Sequence, residues 1–197
     1  MNFDIKILFT ILATIIVIIA YFPYLKDLFS HKTKPHAYTW LIWTLTQGTA
    51  IVAVWYGGGG LTALYLGIAL LFVFGIFLFS LKYGSKNITK SDTVILILAI
   101  SAIFIWWQLK QPLISVIMVS AIDFMGYIPS FRKSYFEPWS ETLIAWALFA
   151  ISNLFAILAI QEYNVLTLLY LSIITFANIV LFSICFFRRP FVKKPKN

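Results

Sequence analysis

The sequence predicts an all-α membrane protein: seven transmembrane helices in a 3+1+3 order, two parallel repeats of three-helix bundles joined by one linker helix. Three observations predict it. First, 61% of the 197 residues are hydrophobic and 11% are charged, with a mean hydropathy of +0.92. A chain of this size cannot hide that much apolar surface in a water-soluble core, so its solvent must be lipid. Second, seven apolar stretches are separable, at about 5–25, 36–56, 61–81, 93–109, 112–131, 139–160 and 164–187. Most reach the ~20 residues a helix needs to cross ~30 Å of hydrocarbon. Third, the chain repeats itself. Tyr21-Phe22-Pro23-Tyr24-Leu25-Lys26 returns as Tyr127-Ile128-Pro129-Ser130-Phe131-Arg132, Thr39-Trp40-Leu41-Ile42-Trp43 as Thr142-Leu143-Ile144-Ala145-Trp146, and Leu61-Thr62-Ala63-Leu64-Tyr65 as Leu166-Thr167-Leu168-Leu169-Tyr170. The offsets are 106, 103 and 105 residues, and three segments recurring in one order argue for a duplicated unit.

Each element has its own punctuation. The apolar run from Ile5 to Phe22 leads into Pro23 and Lys26, with neither a basic leader nor a small-x-small cleavage site, so it reads as the first span and not as a removable signal. Pro35 and Pro138 open spans two and six, where a missing N–H costs nothing. Gly57 to Gly60 form a flexible hairpin before span three. Span four, the shortest, starts at a Ser91-Asp92 N-cap and ends at the turn Lys110-Gln111-Pro112. The units are therefore residues 1–90 (first repeat), 91–111 (linker helix) and 112–197 (second repeat with a basic tail).

The charges choose the orientation. With the N-terminus outside, Lys26, Lys32, Lys34, Lys82, Lys86, Lys90, Arg132, Lys133, Arg188, Arg189, Lys193, Lys194 and Lys196 share one side, leaving Lys6 and Lys110 on the other. Cytoplasmic loops carry such an excess, so the expectation is a multi-pass protein of the cell (inner) membrane, N-terminus outside and C-terminus cytoplasmic. The net charge of +8 belongs to this pattern and not to a nucleic-acid face, since the basic residues sit in short loops. The single linker helix restores the orientation of the second repeat, so the two repeats run parallel about an axis along the membrane normal. Cys185 stands alone, which excludes a disulfide framework and a thiolate metal site. His31 and His36 read as solvated loop residues with no metal-ligating neighbours.

Asp123 is the sharpest single signal. It lies about 11 residues, ~16 Å, into span five, near the bilayer midplane. A carboxylate there costs roughly 2.5–3.5 kcal/mol on insertion scales and should face the bundle interior or water. No Lys or Arg lies within a span to pair with it, and desolvation disfavours its charged form, so a proton can bind and leave. The alternative is a carboxyl that only ties helices together. Gln47, Asn178 and Asn153 fall at compatible depths and complete a polar layer, although Asn and Gln also serve as glue between helices. Trp43 and Trp146 are repeat-equivalent, and are either interfacial anchors or an aromatic pair flanking a pathway. Pro23 and Pro129 remove a backbone hydrogen bond near the inner ends of their helices and kink them there.

This layout, with Pro and a basic residue at the inner ends of spans one and five, resembles the PQ-loop/SWEET superfamily and its small bacterial seven-helix members. The segment Pro23-Tyr24-Leu25-Lys26-Asp27-Leu28-Phe29 is similar to the loop that names the family, Trp55-Tyr56-Gly57 to a common ending of span two, and Asn178 to a pore asparagine. Tyr24 and Ser130 stand where the name-giving glutamine would be, and Val73 where a second asparagine would be. The resemblance implies hinge prolines at Pro23 and Pro129 and a solute pathway between the repeats.

The chain has no H-E-x-x-H, no P-loop and no Gly-x-Ser-x-Gly, and span seven lacks the Lys a retinal would need. An enzyme is therefore not expected, nor a cofactor, metal or nucleic-acid partner. The expected function is a secondary transporter or facilitator of a small polar metabolite, proton-coupled or passive. The alternative is a non-transporting receptor or assembly protein of the same fold. The expected partners are the lipid bilayer and a small polar solute, in a monomer or a homo-oligomer.

Overall fold

A computed structural model describes residues 5–85, 88–109 and 111–194, with the side chains of 99, 102, 103, 105–107, 109, 112 and 115 outside the description. Seven α-helices follow in order: α1 Ile5–Phe29, α2 Ala37–Tyr56, α3 Thr62–Tyr83, α4 Lys90–Leu109, α5 Pro112–Phe136, α6 Leu143–Leu158 and α7 Val165–Arg188. Short 3-10 turns occupy Pro138–Ser140 and Arg189–Phe191, and no strand occurs among the described residues. Of the basic residues in the topology argument, Lys86, Lys110 and Lys196 lie outside the described residues.

The packing is apolar outside and polar inside. On α1, Thr10, Ala13, Val17, Ala20, Tyr21, Tyr24 and Leu28 are buried at steps of mostly three and four residues, while Ile11, Ile15, Ile19 and Phe22 are exposed. Thr46, Gln47, Asp123, Ser152, Asn153 and Asn178 are all buried. Lipid tails offer no hydrophobic drive for helix association, so the interior can hold polar groups and small residues that let backbones approach. Ala13, Ala20, Ala50, Ala145, Ala156 and Ala177 are such buried small residues. Among the described residues, three helices are long and apolar enough to cross a membrane, Ile5–Phe29, Thr62–Tyr83 and Val165–Phe191. α6 is apolar but only 16 residues long, ~24 Å.

α1 packs along α6 and α2 along α5, while α3 sits against α2, α7 lies against both α5 and α6, and α4 leans on α5. One end of α1, α2, α3, α5, α6 and α7 carries a set of polar contacts. Thr142 Oγ1 donates to Asp27 Oδ2 at 2.9 Å, Ser85 N to Pro35 O at 2.8 Å and Lys133 Nζ to Lys34 O at 2.7 Å. Lys133 also forms an ion pair with Glu141, whose backbone carbonyl accepts from Arg189 Nη2 at 2.8 Å. At the opposite end Lys6 Nζ donates to the carbonyls of Ile160 and Gln161 at 2.7 and 2.9 Å, and Asn164 Nδ2 to that of Gly57 at 2.8 Å.

Four sequence expectations change. Helix six starts at Leu143, and Pro138 opens the preceding 3-10 turn instead. Asp92 is not the N-cap of α4. It stands three residues in, its carboxylate accepting from Thr89 N at 2.7 Å while Asp92 N donates to Thr89 Oγ1 at 3.3 Å, a reciprocal cap centred on Thr89. His36 is not solvated: it is 2% exposed and its Nε2 lies 3.3 Å from Asp92 Oδ2, which Arg132 also reaches at 3.2 Å. The Gly57–Gly60 turn is a fitted part of the fold, with φ of +80° at Gly58 and +61° at Gly60, where a Cβ would meet the side chains of Glu162 and Gln161.

Candidate functional site

A cavity of about 60 Å³ lies among α1, α2, α3, α5, α6 and α7. At ~10–15 Å³ per water-sized probe it holds a few waters. Asp123, Gln47, Asn178, Asn153, Trp43 and Trp146 all line it. Six residues picked from four separate helices thus share one wall. Pro23 and Pro129 do not line it. They lie inside the continuous helices α1 and α5, toward the basic end.

Asp123 is 1% exposed. Its Oδ1 accepts a hydrogen bond from Thr46 Oγ1 and another from Tyr170 OH at 3.3 Å. Trp43 Nε1 reaches the Asp123 backbone carbonyl at 3.4 Å. Thr46 Oγ1 also lies 2.9 Å from Ile42 O, and this permits two proton arrangements. When the carboxyl is ionised, the Thr46 and Tyr170 hydroxyls both donate to it. When it is protonated, it can donate to Thr46 Oγ1, whose own hydrogen then turns to the Ile42 carbonyl. Neither state orphans a polar group, so the site can exchange a proton without the cost of an unmade hydrogen bond.

The other polar residues are held by tyrosines. Tyr127 OH donates to Asn178 Oδ1 at 2.9 Å. Tyr65 OH donates to Asn153 Oδ1 at 2.6 Å and lies 2.9 Å from Ser152 Oγ. Gln47 Nε2 donates to Leu66 O at 2.8 Å. The tryptophans close the basic side of the cavity: Trp43 packs on Tyr127 with ring centroids 4.4 Å apart and on Trp146 at 6.0 Å. Both indoles are buried, which removes the interfacial-anchor alternative. Trp146 Nε1 donates to Glu141 Oε2 at 3.1 Å, tying the cavity wall to the Lys133–Glu141 pair beneath it.

The sequence reasoning missed Thr46, Tyr65, Tyr127, Tyr170, Lys133 and Glu141. The tyrosines had a signal, because Tyr21/Tyr127 and Tyr65/Tyr170 stand at matching places in the repeated strings. The apolar run of span five stops at 131 and so leaves Lys133 in a loop, whereas α5 runs to Phe136 and Lys133 is buried.

No protein-family model, curated protein or solved structure matches the chain.

Proposed function

We propose that the chain is a secondary transporter or facilitator of a small polar solute, working by alternating access between two parallel three-helix units, α1–α3 and α5–α7, with all seven helices crossing the membrane as in PQ-loop/SWEET-like proteins. The observation that carries this reading is the cavity. A polar, carboxylate-bearing chamber near the middle of an otherwise apolar bundle is costly and has no use in a mere scaffold.

The packing supports the repeat. α1 on α6 and α2 on α5 are the two contacts that exchange under a two-fold operation taking α1 to α5 and α2 to α6. The cavity wall follows the same rule in six of its eight aromatic positions: Tyr21 with Tyr127, Trp43 with Trp146 and Tyr65 with Tyr170, while Trp40 and Phe149 stand unmatched. It breaks the rule in its polar ones, where Asp123, Asn178 and Asn153 answer to Val17, Val73 and Ala50. A symmetric frame of this kind can rock, and an asymmetric lining gives it chemistry.

Both ends are tied. The network of Asp27, Lys133, Glu141, Thr142 and Arg189 forms the cytoplasmic gate, and the Lys6 and Asn164 contacts form the outer one. The proton sits on Asp123, and Pro23 and Pro129 supply bending points above the inner gate. The test is uptake into proteoliposomes of labelled sugars, amino acids, amines and vitamins under an imposed pH gradient. Protein-dependent uptake of at least one class, several-fold above empty vesicles, is expected. Absence of flux for every class, from a monodisperse preparation, contradicts the proposal.

A further inference from the structure

The lining of the cavity selects a ligand by charge. Its residues include one carboxylate, Asp123, and no Lys, Arg or His. The described ion pairs lie at the basic end, on Asp92 and Glu141. The carboxylate therefore faces the cavity without a counter-charge. Among the described residues both of its hydrogen bonds fall on Oδ1, so Oδ2 is the oxygen open to a ligand.

The tyrosines and aromatic rings favour the same sign, and the amides of Asn153 and Asn178, whose oxygens accept from tyrosines, add neutral donors only. Tyr65, Tyr127 and Tyr170 each give their hydroxyl proton to a protein acceptor. What they keep is lone pairs and ring faces. Trp43, Tyr127 and Trp146 stand with ring centroids 4.4 to 6.4 Å from one another, on the same wall as Asp123. Aromatic faces attract ammonium groups through the ring quadrupole, the more so when water is excluded.

Resting on the transport reading above, we propose that the solute is a small organic monocation, a primary or methylated ammonium that carries no carboxylate of its own. A zwitterionic amino acid would bring an anion that no lining side chain can neutralise, and burying an unpaired charge is prohibitive. A neutral sugar would bind with Asp123 protonated and would make no use of a carboxylate whose Oδ2 is open to the cavity. The cation instead replaces the proton on Asp123: the carboxyl releases H⁺, the ammonium takes its place, and the charge of the site is the same before and after. The cavity volume of about 60 Å³ restricts the solute to a few heavy atoms in this conformation.

The test is equilibrium binding to the purified full chain in detergent. Methylammonium, ethanolammonium and tetramethylammonium chlorides are compared with glycine, glucose and sodium chloride. At least one of the three ammonium salts is expected to bind ten-fold or more tightly than glycine and glucose. Asp123→Asn should weaken that binding ten-fold or more, while Asp123→Glu, which keeps the charge, should retain it if the Asn variant proves unstable. Ammonium binding no better than that of glucose or glycine, or unchanged in a folded Asp123→Asn variant, overturns the inference. If a neutral solute binds and is carried into vesicles instead, the transport reading stands and the cation inference alone falls.

Discussion

Replacing Lys133 by Met is expected to cost about 3–5 kcal/mol, because it strands the Glu141 carboxylate in a site closed to water. The two side chains are 4% and 3% exposed, so solvent cannot screen the loss. Glu141 would keep only the Trp146 indole N–H, 3.1 Å from Oε2, among the side-chain contacts described for it. The Lys34 carbonyl would lose its ammonium donor as well. The expected readout is a fall in the midpoint of thermal unfolding in detergent by roughly 10 °C, with poorer recovery of monodisperse protein. Removing both charges together, as Lys133→Met with Glu141→Leu, should restore most of the loss, because a buried pair exchanged for apolar groups is often neutral. A double variant no better than the single would show that the pair does not act as a unit.

Asp123→Asn is the second large effect, and it falls on function rather than folding. Asn keeps the size and can still accept from Thr46 and Tyr170, but it cannot take up or release a proton. Insertion and thermal stability should be unchanged or slightly improved, since a costly ionisable group leaves the bundle interior. Uphill accumulation driven by a pH gradient should vanish. For an ammonium solute, exchange across the membrane should fail with it, because the carboxylate also holds the cation. For a neutral solute exchange should survive, since exchange need not cycle the proton. A folded, otherwise active Asn variant that still accumulates solute would remove Asp123 from the mechanism.

Much of this molecule was legible in its sequence, for reasons that can be named. The helices announced themselves because lipid demands long apolar runs, and α1, α3 and α7 obey that demand openly. Asp123 was legible because a carboxylate in such a run has few tolerable places to go. What stayed hidden were partnerships made across helices. Nothing local marks Thr46 as the donor to Asp123, since the two lie 77 residues apart and threonines are frequent in α2. The fate of His36 was equally invisible: a histidine before a helix reads as solvated until α4 brings Asp92 beside it. The start of α6 was misjudged because Pro138 is followed by Trp139, whose Nε1 donates to Val192 O at 2.8 Å in the chain end and holds a 3-10 turn where a helix was expected.

The central claim, that the chamber around Asp123 opens in turn to both faces of the membrane, is tested most directly by thiol accessibility at Ala69. This residue lines the cavity, and its one described polar contact beyond the helix, the backbone carbonyl that accepts from Tyr21 OH at 3.4 Å, does not involve its side chain. Cys185, the one native thiol, is first changed to Ala, and Ala69→Cys is then reconstituted in vesicles of known orientation. A membrane-impermeant, permanently charged thiol reagent is added from one face or the other, and labelling is followed over time. The account predicts slow modification from either face, hastened at one and retarded at the other by solute or by a pH gradient. A cysteine that never reacts from one face, under any condition in which the protein remains folded, would contradict alternating access and leave the chamber a buried polar joint in a membrane scaffold.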